Sequence, residues 1–201
     1  MGISGFAEEM NKAVFIDRDG VINKMIFNKK RNEYQPPFNK EELDIYDGVI
    51  DSLKELQANN FRLFLISNQP DYAKGNTYLE NLSEVHNELH NILIENNVSF
   101  SEYYYCFHHP EGIIKEYSYD CECRKPKNYF VIKAVIDFNL NKEESWFVGD
   151  RDKDIECGRR SGMKTIRIKS NYYEYRDSKE ANYTAVDLKE AVKIILTKNK
   201  I

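Results

Sequence analysis

The run Ala13-Val14-Phe15-Ile16, followed at once by Asp17-Arg18-Asp19-Gly20, constrains the fold of this chain more than any other stretch. Four consecutive apolar residues read as a strand buried on both faces, the habit of parallel sheets covered by helices. Two aspartates, one residue apart, then stand where the strand gives way to a loop, and Gly20 permits a sharp turn. In an open α/β sheet, ligands bind outside the carboxyl ends of the strands. Two carboxylates held there repel each other unless a cation joins them. A solvated acidic turn explains an isolated Asp-x-Asp equally well, so the assignment depends on what the rest of the chain supplies.

The remainder alternates short apolar runs with helical patterns, which argues for an α/β fold with a mostly parallel sheet and helices on both faces. Further strands are expected at Leu63-Phe64-Leu65-Ile66, Tyr103-Tyr104-Tyr105, Trp146-Phe147-Val148, Thr165-Ile166-Arg167-Ile168 and near Thr184 to Val186. The segment Ser67-Asn68-Gln69-Pro70-Asp71 reads as the loop after the second of these strands. Helices are expected after Asp47-Gly48, with Val49, Ile50, Leu53 and Leu56 on one face, and from Tyr78 through Leu82, Val85, Leu89, Ile92 and Leu93. Others follow over 128–138, between Asp150 and Gly162, and at the C-terminal end with Leu188, Ala191, Val192 and Ile195. His86 and His90 lie four apart on the long helix without a third ligand, so a surface or helix-packing role is expected.

Residues 24–47 are too many for an ordinary connection and read as a flap over the site or a disordered loop. Their basic run, Asn28-Lys29-Lys30-Arg31-Asn32, is either a solvated face or turned toward a substrate.

A length of 201 residues fits one domain, 1–201, with 41% hydrophobic and 31% charged residues, the composition of a globular chain. No stretch approaches the ~18 apolar residues of a membrane span. Met1-Gly2-Ile3-Ser4-Gly5-Phe6 lacks the features of a signal peptide, and Phe6 stands where myristoylation wants Ser or Thr. Cytoplasmic residence as a monomer is the expectation. The net charge of −4 gives no electrostatic footprint for a nucleic-acid backbone, but it leaves room for a local cationic pocket and a small anionic substrate.

Of the four cysteines, Cys106, Cys121 and Cys123 fall close together. Cys106-x-His108 and Cys121-x-Cys123 supply three thiolates and an imidazole, a closed tetrahedral set that suits structural Zn²⁺ in a loop over 106–123. Spacing does not choose between His108 and its neighbour His109. Cys157 stands apart and reads as packing. The same loop runs into Arg124-Lys125, so its metal is expected to fix those cations.

Three strand ends thus carry polar clusters: Asp17 with Asp19, Ser67 with Asn68, and Asp150 with Asp154. Mg²⁺ suits such carboxylates, because it takes oxygen ligands from one or two of them together with water and phosphate oxygens. The Ser67 hydroxyl and Asn68 amide are neutral donors for phosphate, and Lys125 is a fixed cation.

Asp17-Arg18-Asp19-Gly20-Val21, Ser67-Asn68-Gln69, Arg124-Lys125-Pro126 and Gly149-Asp150-x-x-x-Asp154 resemble, in order, the four motifs of the haloacid dehalogenase (HAD) superfamily of phosphatases. Within it, the first motif and Cys-x-His-His-Pro…Cys-x-Cys-Arg-Lys-Pro are similar to the heptose-bisphosphate phosphatases and the related histidinol-phosphate phosphatases. The resemblance implies a Rossmann-like HAD fold with minimal cap loops. It makes Asp17 the nucleophile that forms an aspartyl-phosphate and Asp19 the general acid and base. Mg²⁺ is then held by the Asp17 side chain, the Asp19 carbonyl and Asp150, with Asp154 behind them. Phosphate meets Ser67, Asn68, Arg124 and Lys125, and the family pattern selects His108 for zinc.

The implied substrate is a small phosphate ester: a sugar phosphate such as heptose 1,7-bisphosphate, or histidinol phosphate, or another sugar or polyol phosphate of surface-polysaccharide synthesis. Pro70-Asp71, Lys127-Asn128-Tyr129 and the length of the flap depart from the family pattern and bear on the choice of substrate.

Overall fold

Strand β1 (Lys12–Ile16) lies inside a six-stranded sheet of the computed structural model, which describes residues 10–170, 172 and 180–199. The expectation drawn from Met1 to Phe6 falls outside the described residues. The other strands of this sheet are β4 (Phe61–Asn68), β5 (Glu102–Cys106), β6 (Trp146–Gly149), β7 (Lys164–Ile168) and β8 (Tyr183–Ala185). Their spatial order is β5-β4-β1-β6-β7-β8, and every neighbouring pair is parallel. The chain winds outward from β1 through β4 to β5, then returns across β1 to build β6, β7 and β8. Reversal at β1 opens a crevice above its carboxyl end, where open α/β sheets place their ligands.

The apolar runs are continuous because both faces are covered. Val14 and Ile16 of β1 face one core cluster with Leu63, Leu65, Trp146 and Val148, packed by helices α1 (Val49–Ala58) and α5 (Leu188–Lys198). Ala13 and Phe15 face the other, with Phe64, Ile66 and Phe147, covered by α3 (Tyr129–Asp137) and by Cys157 of α4 (Asp152–Arg160). Helix α2 (Leu79–Glu95) contributes Leu89 and Leu93 to the first cluster. Alternate residues of one strand thus serve opposite cores, as the two-residue period of a strand requires.

Three expectations change. Ser67 and Asn68 are the last residues of β4 rather than loop, because β5 continues the ladder opposite them, pairing Ser67 with Tyr105 and Asn68 with Cys106. Tyr78 is an exposed N-cap residue and not part of the buried face of α2; His86 takes that face instead, stacked on Tyr105 with ring centroids 3.6 Å apart. Residues 24–47 are ordered by an antiparallel hairpin, β2 (Ile26–Asn28) with β3 (Glu33–Gln35), followed by a 3-10 turn at Lys40–Glu42.

Candidate active site

Asp17 leaves the end of β1 with its backbone N–H bonded to the Val148 carbonyl, so the ends of β1 and β6 are tied together. Asp17, Asp150 and Asp154 are all buried and bring their carboxylate oxygens within 4.8 Å of one another. Lys125 answers two of the three. Its ammonium reaches Asp17 Oδ1 at 2.7 Å, Asp154 Oδ1 at 2.6 Å and the Ile66 carbonyl at 2.7 Å, which uses all three protons. Burial opposes the charge on Lys125, but Asp154 and Asp17 outweigh it and hold its pKa above the ordinary value. Burial likewise raises Asp17, and Lys125 with Lys153 more than reverses this, so Asp17 stays an anion.

Asp150 is different. Both of its carboxylate oxygens are buried without a hydrogen-bond partner, and burial, aided by the charges of Asp154 and Asp17, pushes its pKa up to about 8. A carboxylate in that position calls for a cation. The backbone is shaped around it: Gly20 has φ +86°, and a Cβ there would stand 2.4 Å from Asp150 Oδ2. At Gly149 a Cβ would stand 2.2 Å from the Asp154 Cβ, so only glycine lets α4 start against the end of β6. Oxygen ligands alone, two of them aspartates at strand ends, fit a hard divalent ion.

Asp19 sits in a separate cradle that the sequence motifs did not reveal. Arg18 donates from Nε to Oδ1 and from Nη2 to Oδ2, each at 3.1 Å, and Asn23 Nδ2 donates to Oδ1 at 3.0 Å. Gln69 Nε2 donates to Asp19 Oδ2 at 2.6 Å and to Ser67 Oγ at 2.9 Å. Arg18 and Gln69 are both completely buried. Nothing in the spacing of Arg18, Asn23 and Gln69 announces that they meet at one carboxylate. Only the turn after β1, closed by Gly20 N–H to the Asn23 carbonyl, brings Asn23 back.

Cys106, His108, Cys121 and Cys123 converge as one cluster. The three sulfurs lie 3.2–3.4 Å apart, and His108 Nδ1 lies 3.5 Å from Cys123 Sγ and 3.8 Å from Cys106 Sγ. This resolves the choice left by spacing, since His109 instead accepts from the Glu111 backbone. Hydrogen bonding from Cys123 drives the Cys106 thiol down to about 5 against the effect of burial. These four side chains could hold a metal ion. Tyr119 reaches His108 Nε2 at 2.7 Å and thereby sets which ring nitrogen turns toward the sulfurs.

The cluster is tied to the strand ends by the backbone. The Cys106 carbonyl accepts from Gln69 N–H, Arg124 Nη1 donates to the His108 carbonyl, and the Asn68 side chain bridges to Lys125. Cys157 packs in the second core, as expected.

Above these groups lies a cleft of about 290 Å³. Asp17, Asp19, Ser67, Asn68 and Arg124 line its floor, with Arg151 and Lys153 beside them and Lys74 on the loop after β4. Lys125 is buried beneath Asp17 and does not line the cleft itself. Arg31, Glu33, Tyr34 and Gln35 of the hairpin form a side wall, and of the basic run only Arg31 takes part. No helix among the described residues is long and apolar enough to cross a membrane.

Residues 122–191 match the model of the HAD-hydrolase-like family. A D-glycero-D-manno-heptose-1,7-bisphosphate 7-phosphatase of Chlorobaculum tepidum is 33% identical over 171 residues, covering 83% of this chain and 82% of its own. A D-glycero-beta-D-manno-heptose-1,7-bisphosphate 7-phosphatase of Haemophilus influenzae is 34% identical over 149 residues, 74% of this chain and 76% of its own. Among solved structures, the D,D-heptose 1,7-bisphosphate phosphatase of B. bronchiseptica, complexed with magnesium and phosphate, superposes with a TM-score of 0.74 at 19% identity over 93% of this chain and 99% of the other. A HAD-like phosphatase of Mesorhizobium loti gives 0.75 at 20% identity over 94% and 87%. The structural likenesses carry the fold and the sequence relatives carry the kinship: the chain belongs to the HAD-like phosphatases, in the branch of the heptose-bisphosphate phosphatases.

Proposed function

We propose that the protein is a Mg²⁺-dependent phosphatase of a small sugar phosphate, most specifically the 7-phosphate of heptose 1,7-bisphosphate, working as a single catalytic domain through a phosphoaspartate on Asp17. The observation that carries this reading is the pairing of one neutralised carboxylate with one unneutralised. Lys125 holds Asp17 as an oriented anion, while Asp150 beside it has no partner of its own. The Asp17 and Asp150 carboxylates and the Asp19 carbonyl would hold Mg²⁺, which would supply positive charge against the phosphoryl oxygens.

The chain's own residues then account for the steps. An Asp17 carboxylate oxygen attacks phosphorus, and the ester P–O bond breaks on the opposite side. Asp19 gives its proton to the departing alcohol oxygen. Water next attacks phosphorus, Asp19 takes its proton, and the bond to Asp17 breaks to release phosphate. The Ser67 hydroxyl accepts from Gln69 and keeps its own proton to donate to a phosphoryl oxygen. Asn68 has one amide proton left after its bond to the Lys125 carbonyl, and Arg124 adds charge at the cleft wall. Such fixed donors and charges supply most of the rate in phosphoryl transfer.

The relatives' names favour the heptose ester, and the cations Arg31, Lys74 and Arg124 around the cleft suit a substrate with a second anionic group. For the Cys/His cluster we assign Zn²⁺ in a structural role, since four protein ligands leave no position for water. Phosphate release should be measured over heptose 1,7-bisphosphate, hexose and polyol phosphates and histidinol phosphate, with Mg²⁺. The heptose ester is expected to have the highest kcat/KM; a preference for histidinol phosphate would replace the substrate assignment, and no turnover of any ester would end the reading.

A further inference from the structure

Gln69 belongs to none of the groups assigned so far to attack, proton transfer, metal or phosphate, yet it is completely buried between two of them. One amide nitrogen serves both Asp19 Oδ2, at 2.6 Å, and Ser67 Oγ, at 2.9 Å. Its backbone N–H is bonded to the Cys106 carbonyl at the end of β5, so the side chain starts from a fixed point.

The four contacts on Asp19 are all donors: two from Arg18, one from Asn23 and one from Gln69. A carboxylate offers about four lone-pair sites, so these four donors occupy it on every side. A group that must also carry a proton has to give up one of these contacts. Arg18 is a buried cation with a bidentate grip, and losing it would strand a charge. Gln69 is neutral, and a second acceptor, Ser67 Oγ, already lies within its reach. Its Oε1 is buried without a partner, so nothing else pins the amide in its present orientation.

We propose that Gln69 is a positioning residue that joins the acid–base carboxylate of Asp19 to the phosphate-binding hydroxyl of Ser67. Its amide nitrogen, bonded to both, fixes the orientation of the Asp19 carboxylate relative to Ser67. This inference rests on the assignment of Asp19 as general acid and base. It acts on proton delivery to the leaving oxygen and not on phosphorus.

The consequence is a dependence on the leaving group. An alkoxide from a primary sugar ester needs a proton as it departs, whereas p-nitrophenolate does not. The test compares wild type, Gln69→Met, Gln69→Leu and Asp19→Asn on two substrates, p-nitrophenyl phosphate and the primary-alcohol ester that wild type hydrolyses best. Met keeps the length of the side chain without a donor, and Leu also removes the donor with a shorter apolar side chain, so either variant suffices should the other fail to fold.

Since general acid catalysis is worth about 10²–10⁴-fold, a misplaced acid should lower kcat/KM, which reads the steps through departure of the alcohol and not the hydrolysis of the phosphoaspartate common to both substrates, by about tenfold or more on the alkyl ester and by no more than about threefold on the aryl ester. Equal losses on both substrates, or no loss on either, in the folded Gln69 variants would overturn the inference. Equal losses in Asp19→Asn would remove the acid assignment and this inference with it. Wild type inactive on every alkyl ester marks the failure of the functional reading itself.

Discussion

The Asn68 carboxamide closes a two-point ring on the backbone of Lys125: Oδ1 accepts from the Lys125 N–H at 3.1 Å and Nδ2 donates to the Lys125 carbonyl at 3.0 Å. The residues are 57 apart in sequence, one at the end of β4 and the other just beyond the cysteine loop. This ring fixes the backbone from which the Lys125 ammonium reaches Asp17 and Asp154. Replacing Asn68 with Ala should strand a buried N–H and a buried carbonyl at a cost of about 1–3 kcal/mol each. Urea unfolding should register the loss, and kcat should fall with it; a variant as stable and active as wild type would show that the ring is dispensable.

Tyr119 should matter to the metal of the cysteine loop without touching it. Tyr119→Phe removes the partner of His108 Nε2 and leaves the ring contact, whose centroids lie 4.4 Å apart. Outer contacts of this kind are typically worth about 10–100-fold in metal affinity. Competition for zinc against a chromophoric chelator should show weaker binding in the variant, and unchanged affinity would remove Tyr119 from the site.

Asp150 is a liability without a cation. Asp150→Asn should therefore raise the melting temperature of the metal-free protein by at least about 2 °C, the shift that about 1 kcal/mol produces in a chain of this length. The same change should abolish the stabilisation that Mg²⁺ gives wild type through binding the native state. Calorimetry in chelator and in Mg²⁺ reads both effects. A variant that melts lower without metal, or that still gains from Mg²⁺, would contradict the assignment.

His86 supplies a pH dependence through a residue that belongs to neither metal cluster. Burial, with the charge of Arg18 as a second cause, lowers its pKa from the ordinary 6.5 to about 2. The unfolded chain binds a proton below pH 6.5 that the folded chain refuses, so the contribution of neutral His86 is fully present above 6.5 and is lost as the pH falls below it. His86→Phe keeps the stacking on Tyr105 and removes the titration. Between pH 6.5 and 5 wild type should lose about 1.6 kcal/mol relative to the variant, the slope steepening toward about 1.4 kcal/mol per pH unit at the lower end. Parallel stability curves would mean that the imidazole takes a proton in the fold.

Much of this architecture was legible because its signals are local. Every apolar run that ends in a polar cluster became a strand of the sheet, and Asp17, Asp150 and Asp154 meet because parallel strands bring their carboxyl ends to one edge. Contacts created by turns and packing were not legible. Gln69 and Asn23 reach Asp19 through the chain geometry after β4 and β1, and no periodicity encodes that. For His86 the sequence left surface and helix packing as alternatives, and only the placement of α2 on β5 sets its ring on Tyr105. Asn68 is an instructive mixture: its place in the motif marked it for phosphate, while its two bonds to Lys125 depend on where a loop more than fifty residues away returns.

The central claim is that Asp17 makes the bond to phosphorus. Asp17→Asn keeps the size of the side chain, and its stability and zinc content can be checked independently of turnover. The decisive measurement is Mg²⁺-dependent phosphate release from heptose 1,7-bisphosphate by wild type and this variant. Loss of a covalent nucleophile typically costs several orders of magnitude, so the variant should fall by at least about a thousandfold in kcat. An Asp17→Asn protein that releases phosphate at a rate close to wild type would contradict the account.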